Sequence, residues 1–469
     1  MSEKYNLDFN RPEKIFFVGI GGVSMSGLAL ILADAGFDVS GSDRDKSATT
    51  EKLEKRGIKV FYGQKKENIT PDIDCVVFTA AIHADNPEYV RTMELGLKYL
   101  KRGELLGQMM KNYRTGVAIS GTHGKTTTTS MISEILLDAG MDPTINNGGV
   151  LKSIGGNTRV GGKDYFVAEA CEYTNSFLEF FPKVAVIMNI EEDHLDFFKD
   201  IDDIRASFRK FAHLVPADGA VVINGAIDNY REITEGLECP VITFGENEKD
   251  CYGNKNDYYA KDINYNKKGC ALFTECAGER ERKVQLGVPG EHNIIDALAA
   301  LAVCDHLGVP ENDAVKGLEG FRGADRRFEY KGEVKGITVV DDYAHHPTEI
   351  RATMSIAQKI ERGRLFVVFQ SHTYTRTKAF FDEFVEALRP ADVVLMPDIY
   401  PARETDDLGI SSKDLCDALN RLGTEAHYIP DFDEIERFLS EKCTKDDLVI
   451  TMGAGEAYKI GDMLLAKEG

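Results

Sequence analysis

Long apolar runs are missing from this 469-residue chain. The most extended ones, such as Val-Ala-Val-Ile-Met-Asn-Ile at 184–190, are far too short to span a bilayer, which excludes membrane insertion. The opening stretch MSEKYNLDFNRPEK has no apolar signal core, so a cytoplasmic protein is expected. Paired cysteine motifs are also missing. Nine cysteines are scattered without a single C-x-x-C, which argues against a disulfide framework or a thiolate zinc site. Positive charge is scarce, with 56 Lys and Arg against 77 Asp and Glu and a formal net charge of −21. Such a chain does not bind nucleic acid through a general field, and any anionic ligand has to be held locally. Short-period repeats and low-complexity segments are absent as well.

What remains is a long series of strand and helix signals. At roughly 100–200 residues per domain the length suggests three domains. Lys14–Val18, Phe37–Ser40, Lys59–Phe61, Cys75–Thr79 and Lys98–Leu100 read as short strands, with helices over 24–35 and Thr49–Arg56. The pattern restarts near 104, includes strands at Tyr165–Ala170 and Val184–Ile190, crosses a less regular charged region at 245–285 and closes with a helix over Asn293–Leu307. A third series follows Gly320: Ile337–Asp341, Leu365–Phe369, Val393–Met396, Ala426–Ile429 and Leu448–Thr451. The expected fold class is therefore α/β with three domains: a Rossmann-like 1–103, a central 104–322 with a P-loop and a mostly parallel sheet, and a Rossmann-like 323–469. The glycine-containing joins near 103 and 320 are expected hinges.

The richest stretch is 117–129, where an apolar run enters Gly121-Thr122-His123-Gly124-Lys125-Thr126-Thr127 and a helical pattern follows. This is the layout of a nucleoside triphosphate loop. Glycines admit backbone N–H groups to phosphate oxygens, the helix offers its positive end, Lys125 neutralises β/γ charge and Thr126 is placed to ligate Mg²⁺. Its G-x-x-G-K-T spacing is shorter than the usual G-x-x-x-x-G-K-[ST]. A second glycine loop, Gly19-Ile20-Gly21-Gly22-Val23-Ser24, is followed by Asp43 at the end of the next strand. It suits a nicotinamide dinucleotide and equally another nucleotide diphosphate on the same helix N-terminus.

Polar clusters stand after several strands. Glu169 and Glu172 close one apolar strand, and hard oxygen ligands there suit Mg²⁺ near phosphates. His194, after Glu191-Glu192-Asp193, is a candidate second metal ligand or phosphate contact. His292-Asn293 opens a helix, and Asn293 serves either as a plain cap or in recognising adenine. Arg326-Arg327, then Asp341 to His346, then Gln370 to Thr377 emerge where an open α/β sheet places its ligand crevice.

Taken together, the segments GIGGVSMSGLA (19–29), GTHGKTTTT (121–129), EACE (169–172), NIEEDHLD (189–196), GADRRFE (323–329), DDYAHHPTEI (341–350) and HTYTRT (372–377) closely resemble the Mur ligases of peptidoglycan synthesis. The resemblance covers essentially the whole chain and is nearest to members that add L-alanine to UDP-N-acetylmuramate. It implies an ATP-dependent ligase working through an acyl phosphate, with Mg²⁺ (Mn²⁺ able to substitute), as a monomer or weak homodimer. It implies UDP-sugar contacts at Gly19, Gly21, Gly22, Ser24, Asp43 and Thr79. ATP contacts are implied at Gly121, Thr122, His123, Gly124, Lys125, Thr126, Thr127, Asn293, Arg326 and Asp341. Metal would sit on Thr126, Glu169 and His194, and the amino acid on Tyr343, His372 and Arg376. Lys125, His194, His345 and Arg376 would carry the chemistry, with Arg376 clamping the amino-acid carboxylate and His345 orienting or deprotonating its amine. The chain departs from the family pattern at Cys171, Gln64, Asp296 and Ser371, and Phe208 stands near the position of a carbamylated lysine in other members. The alternative within the family is a recycling ligase that adds a preformed peptide to the same UDP-sugar.

Overall fold

A computed structural model describes residues 5–79, 82–195, 197–266, 269–402, 404–405 and 407–466. Packing gathers them into two compact units. The first comprises Met1–Glu192, Asp200–Tyr259 and Leu298–Gly317, and the second Asp193–Lys199, Ala260–Ala297 and Leu318–Gly469.

The first unit opens with a five-stranded parallel sheet in the order Lys59–Tyr62, Asp38–Asp43, Lys14–Val18, Cys75–Phe78, Lys98–Lys101. Ile15, Phe17, Val18 and Cys75 to Val77 are fully buried, as expected of parallel strands covered on both faces. The order turns back at Lys14–Val18, so the loop at 19–22 leaves a topological switch point. The unit also carries the parallel strands Val241–Gly245, Ala220–Asn224, Val184–Ile187, Thr115–Ser120, Tyr165–Glu169 and Thr144–Leu151, adjacent in that order. Gly156–Arg159 closes this edge antiparallel. Thr115–Ser120 is central, and its 121–124 loop issues among the carboxyl ends of its neighbours.

The expected join at 103 is not a free linker. A helix, Arg102–Met110, starts one residue earlier and packs on the helical turn Tyr173–Glu179. Gly107 sits so close that a Cβ there would lie 1.9 Å from the Glu179 carbonyl oxygen. Near 320 the helix Glu311–Gly320 likewise runs up to the expected join.

The charged region at 245–285 is more regular than its sequence suggests. Strand Tyr258–Tyr265 leads into an antiparallel hairpin of Cys270–Ala277 and Arg280–Pro289. Alternate residues Arg282, Val284, Leu286 and Val288 point inward. The alternation is masked because the first inward residue is an arginine, neutralised by buried Glu275 at 2.9 Å.

The second unit is built on a six-stranded sheet in the order Glu329–Val334, Ile337–Asp342, Leu448–Met452, Leu365–Phe369, Val393–Met396, Glu425–Tyr428. Only the first pair is antiparallel. Two apolar layers fill its faces, one around Val367, Phe369 and Phe384 and the other around Val339, Phe366 and Leu439. The ends of Ile337–Asp342, Leu365–Phe369 and Leu448–Met452 therefore lie side by side and deliver their loops to one place. No described helix is long and apolar enough to cross a membrane.

Candidate active site

The phosphate loop is shaped by two glycines and one neighbour. Gly124 caps the helix Lys125–Asp138 at φ +82°, a left-handed conformation that glycine adopts without strain. Gly121 has φ +142°, and a Cβ there would come within 2.8 Å of the Met188 Cβ. Asn189 fastens the turn: its Oδ1 accepts from the His123 N–H at 2.7 Å and its Nδ2 donates to the His123 carbonyl at 3.1 Å. Thr122 Oγ1 accepts from the Glu191 N–H at 2.9 Å. The loop is thus preformed by the segment leaving the adjacent strand.

Lys125 Nζ donates to the Gly121 and Thr122 carbonyls and lies 3.0 Å from Glu172 Oε2. Burial pushes the ammonium pKa down, but Glu172 and then Glu169 outweigh it, so the net movement is upward. Lys125 therefore stays charged at any physiological pH, facing the point where phosphate charge is expected. Thr126 Oγ1 donates to Glu169 Oε2 at 2.8 Å. Gly148 leaves the space this carboxylate fills, since a Cβ there would stand 2.1 Å from Glu169 Oε2. A hydroxyl and a carboxylate side by side at a phosphate loop are the hard oxygen donors that Mg²⁺ prefers, so the residues fit that ion. Thr127 follows, half-buried, in the first helical turn.

In the same unit Asp43 reaches back to the first glycine loop. Its Oδ2 accepts from the Gly21 N–H at 2.7 Å, and a side chain at Gly21 would strike both that oxygen and Thr50. Gly22 caps the helix Val23–Asp34 with no side-chain bond of its own. Thr79 packs against Gly19, and Ser24 Oγ accepts from Arg102 Nη1 at 3.1 Å. Gly19, Gly21, Gly22, Ser24, Asp43 and Thr79 are therefore neighbours.

In the second unit Arg326, at φ +62°, is sandwiched between the rings of Tyr343 and Tyr458. Its Nε donates to Asp341 Oδ2 at 3.0 Å and its Nη2 to the Gly453 carbonyl at 2.6 Å. Asp342 is buried beside it and accepts from the N–H groups of Phe328 and Ala344 and from Thr353 Oγ1. Burial pushes the Asp342 carboxyl up to about 6, against the pull of Arg327 and these donors. His345 holds its Nδ1 at 3.0 Å from the Tyr343 carbonyl. Burial pushes its pKa down to about 4 despite Glu349, so the ring is neutral at pH 7. His345 faces His372 at 6.0 Å between ring centroids, and His372 stacks on Tyr400 at 5.5 Å. Arg376 Nη1 stands 3.3 Å from His372 Nδ1, and its Nη2 donates to Asp193 Oδ1 at 2.9 Å. His194, next to Asp193, has φ +54°. Asn293 stands at the start of the helix His292–His306, where its Nδ2 donates to the Pro289 carbonyl at 2.6 Å, a bond that fixes the helix entry.

Sequence reasoning missed Asn189, Asp193, Glu349, Tyr400 and Glu404. Glu404 Oε2 accepts from the Tyr374 N–H at 2.5 Å and so caps the short helix that carries Arg376. Asn189, Asp193, Tyr400 and Glu404 partner residues far away in sequence, which no local pattern marks, whereas Glu349 accepts from the His346 N–H as the third residue of a helix, a local capping signal.

Three family models cover the chain. The Mur ligase family catalytic domain matches 14–114, the Mur ligase middle domain 119–304, and the Mur ligase glutamate ligase domain 326–455. A protein of Agathobacter rectalis named UDP-N-acetylmuramate–L-alanine ligase is 56% identical over 464 residues, covering 99% of this chain and all of its own. One of the same name from Lachnospira eligens is 55% identical, with 98% and 100% covered. The chain belongs to the Mur ligase family. Among solved structures, a UDP-N-acetylmuramate–alanine ligase of Thermotoga maritima aligns with a TM-score of 0.80 and 29% identity, over 97% of this chain and 99% of that one. A murein peptide ligase of Psychrobacter arcticus aligns at 0.72 and 25%, over 97% and 98%.

At Gln64 and Ser371, two of the places where this Mur ligase departs from the family pattern, the side chains are hydrogen-bonded. Gln64 Oε1 accepts from Asn86 at 2.7 Å, and Ser371 Oγ shares a 2.6 Å bond with Thr377. Cys171 is a thiol whose pKa burial pushes up to about 11. Phe208 is fully buried edge-on to Phe177, which leaves no room for a carbamylated lysine.

Proposed function

We propose that this chain joins L-alanine to the lactyl carboxylate of UDP-N-acetylmuramate in the cytoplasm, with ATP converted to ADP and phosphate. The observation that carries the reading is the charged loop of Lys125, Thr126, Glu169 and Glu172 in a chain 55–56% identical, end to end, to two proteins bearing that ligase name. A carboxylate is anionic and has no leaving group, so it does not condense with an amine at neutral pH. Transfer of the γ-phosphoryl to it gives an acyl phosphate, and attack by the alanine amine then expels phosphate.

The first step brings two anions together, and Lys125 and the N–H groups of 122–125 offset their repulsion. Thr126, Glu169 and His194 would hold Mg²⁺, or Mn²⁺ in its place, which supplies further neutralisation of phosphate charge when bound. In the second step Arg376 clamps the alanine carboxylate, Tyr343 and His372 wall the amino-acid site, and His345 orients the amine or takes its proton. Gly121 to Thr127, Asn293, Arg326 and Asp341 serve ATP. Gly19, Gly21, Gly22, Ser24, Asp43 and Thr79 serve the UDP-sugar. The enzyme acts as a monomer or weak homodimer of three domains, 1–103, 104–322 and 323–469.

Two murein peptide ligases of solved structure are 25% and 29% identical, against 55–56% for the two proteins bearing the alanine-ligase name, which makes the recycling alternative the weaker one. Phosphate release with ATP, Mg²⁺ and UDP-N-acetylmuramate, comparing L-alanine, L-serine, glycine and tripeptide, tests both. Release that ignores the UDP-sugar defeats the proposal, and a preference for tripeptide over L-alanine selects the alternative.

A further inference from the structure

One oxygen of Asp193 gathers three N–H donors. It accepts from the His194 backbone at 2.7 Å, from Arg376 Nη2 at 2.9 Å and from Arg376 Nε at 3.3 Å. Both side chains of the pair are only about a tenth exposed, 10% for Arg376 and 9% for Asp193. They are 183 residues apart in sequence, and Asp193 opens the short segment Asp193–Lys199 that belongs to the second unit. The pair is therefore a shielded ionic contact.

The geometry of Arg376 shows what the contact leaves open. A guanidinium has five N–H groups in a fixed fork. Nε and one N–H of Nη2 are directed at Asp193, and Nη1 turns one N–H toward the His372 carbonyl at 3.4 Å. The second N–H of Nη2 remains, Nη1 also stands 3.3 Å from His372 Nδ1, and the terminal edge of the two η nitrogens has the fork geometry that matches a carboxylate. An arginine chain without such a hold samples several rotamers, and a ligand then has to order it on binding.

We infer that Asp193 is a positioning residue of the amino-acid site, fixing the inner edge of Arg376 so that its terminal edge is preset for the carboxylate of the incoming amino acid. This rests on the ligase reading above and adds to it a residue to which that reading gives no part. Asp193→Ala and the isosteric Asp193→Asn test it, by phosphate release at saturating ATP and UDP-N-acetylmuramate with L-alanine varied. Expected is a rise in KM for L-alanine of at least tenfold in Asp193→Ala. A smaller rise is expected in Asp193→Asn, which keeps the acceptor and loses the charge. The KM values for ATP and UDP-N-acetylmuramate stay within twofold. An L-alanine KM within twofold of the parent in folded Asp193→Ala overturns the inference. So does an equal rise in the KM for ATP, which would place the role at His194. Melting followed by circular dichroism reports folding, and if Asp193→Ala does not fold, the same KM split in Asp193→Asn decides. Parent enzyme whose phosphate release ignores L-alanine removes the ligase reading and this inference together. An active parent with unshifted KM values removes this inference alone.

Discussion

Replacing Glu172 by Gln isolates the charge balance on which the phosphate loop depends. Lys125 and Glu172 are 13% and 4% exposed and 3.0 Å apart, so neither has water to fall back on. Leaving one member of a buried pair unmatched costs about 3–5 kcal/mol. The glutamine oxygen still accepts from Nζ, and the Gly121 and Thr122 carbonyls remain. The expected loss is therefore about 2–3 kcal/mol, below that range. At about 2–4 °C per kcal/mol for a cooperative unit of this size, the melting temperature falls by about 4–12 °C. The pH dependence has a definite sign. The folded pKa of Lys125 lies above the ordinary lysine value of 10.5, so its contribution is fully present below 10.5 and fades only as pH climbs through the folded value. The gap between parent and variant is thus level from pH 6 to 9 on this account. ADP supplies phosphate charge to the same ammonium, so it should raise the melting temperature of Glu172→Gln more than that of the parent. Differential scanning fluorimetry with and without ADP measures all of this. A drop below about 1 °C without nucleotide, or equal ADP shifts in both proteins, would refute the compensation argument.

Lys125→Ala should lower UDP-N-acetylmuramate-dependent phosphate release on the order of 10²–10³, the usual cost of one preorganised charge, and release within threefold of the parent would remove Lys125 from that role. Chelation by EDTA should bring release to background, with Mg²⁺ or Mn²⁺ restoring it, and undiminished activity in EDTA counts against the metal assignment. Asp342 has a folded pKa of about 6 against the ordinary aspartate value of 3.8, so its contribution is present below 3.8 and lost as pH rises to 6. Melting of Asp342→Asn should be flatter than that of the parent across this window, and parallel curves would exclude the shift. His345, pushed from 6.5 to about 4, contributes stability above 6.5 that is lost as pH falls toward 4, and His345→Gln should erase that acid-side slope in the same assay.

Strands such as Leu365–Phe369 and Val393–Met396 were legible to the residue because both faces of a parallel sheet are covered and every position is apolar. Val184–Ile187 ends three residues before its apolar run does, since Met188 and Asn189 leave the ladder to close the phosphate loop. The hairpin Cys270–Ala277 with Arg280–Pro289 was illegible for the opposite reason. Its inward face contains Arg282 and Glu275, and only their pairing across the hairpin makes those positions interior. Periodicity registers burial through apolarity, so a charge neutralised by a distant partner reads as surface.

The same distinction runs through the site. Gly121 to Thr126 was legible because backbone shape, helix end, ammonium and hydroxyl are consecutive in the chain and their joint chemistry is local. Arg376 was legible as a cation in a polar cluster, but which edge of it is available was not. That edge is decided by Asp193, 183 residues away and visible in sequence only as one acid in Glu-Glu-Asp-His. A guanidinium held along its Nε edge by a shielded carboxylate has its direction set before any ligand arrives, whereas an unheld one has to be ordered by the ligand itself. The motif therefore names the group that binds, and the long-range contact determines how well it is aimed.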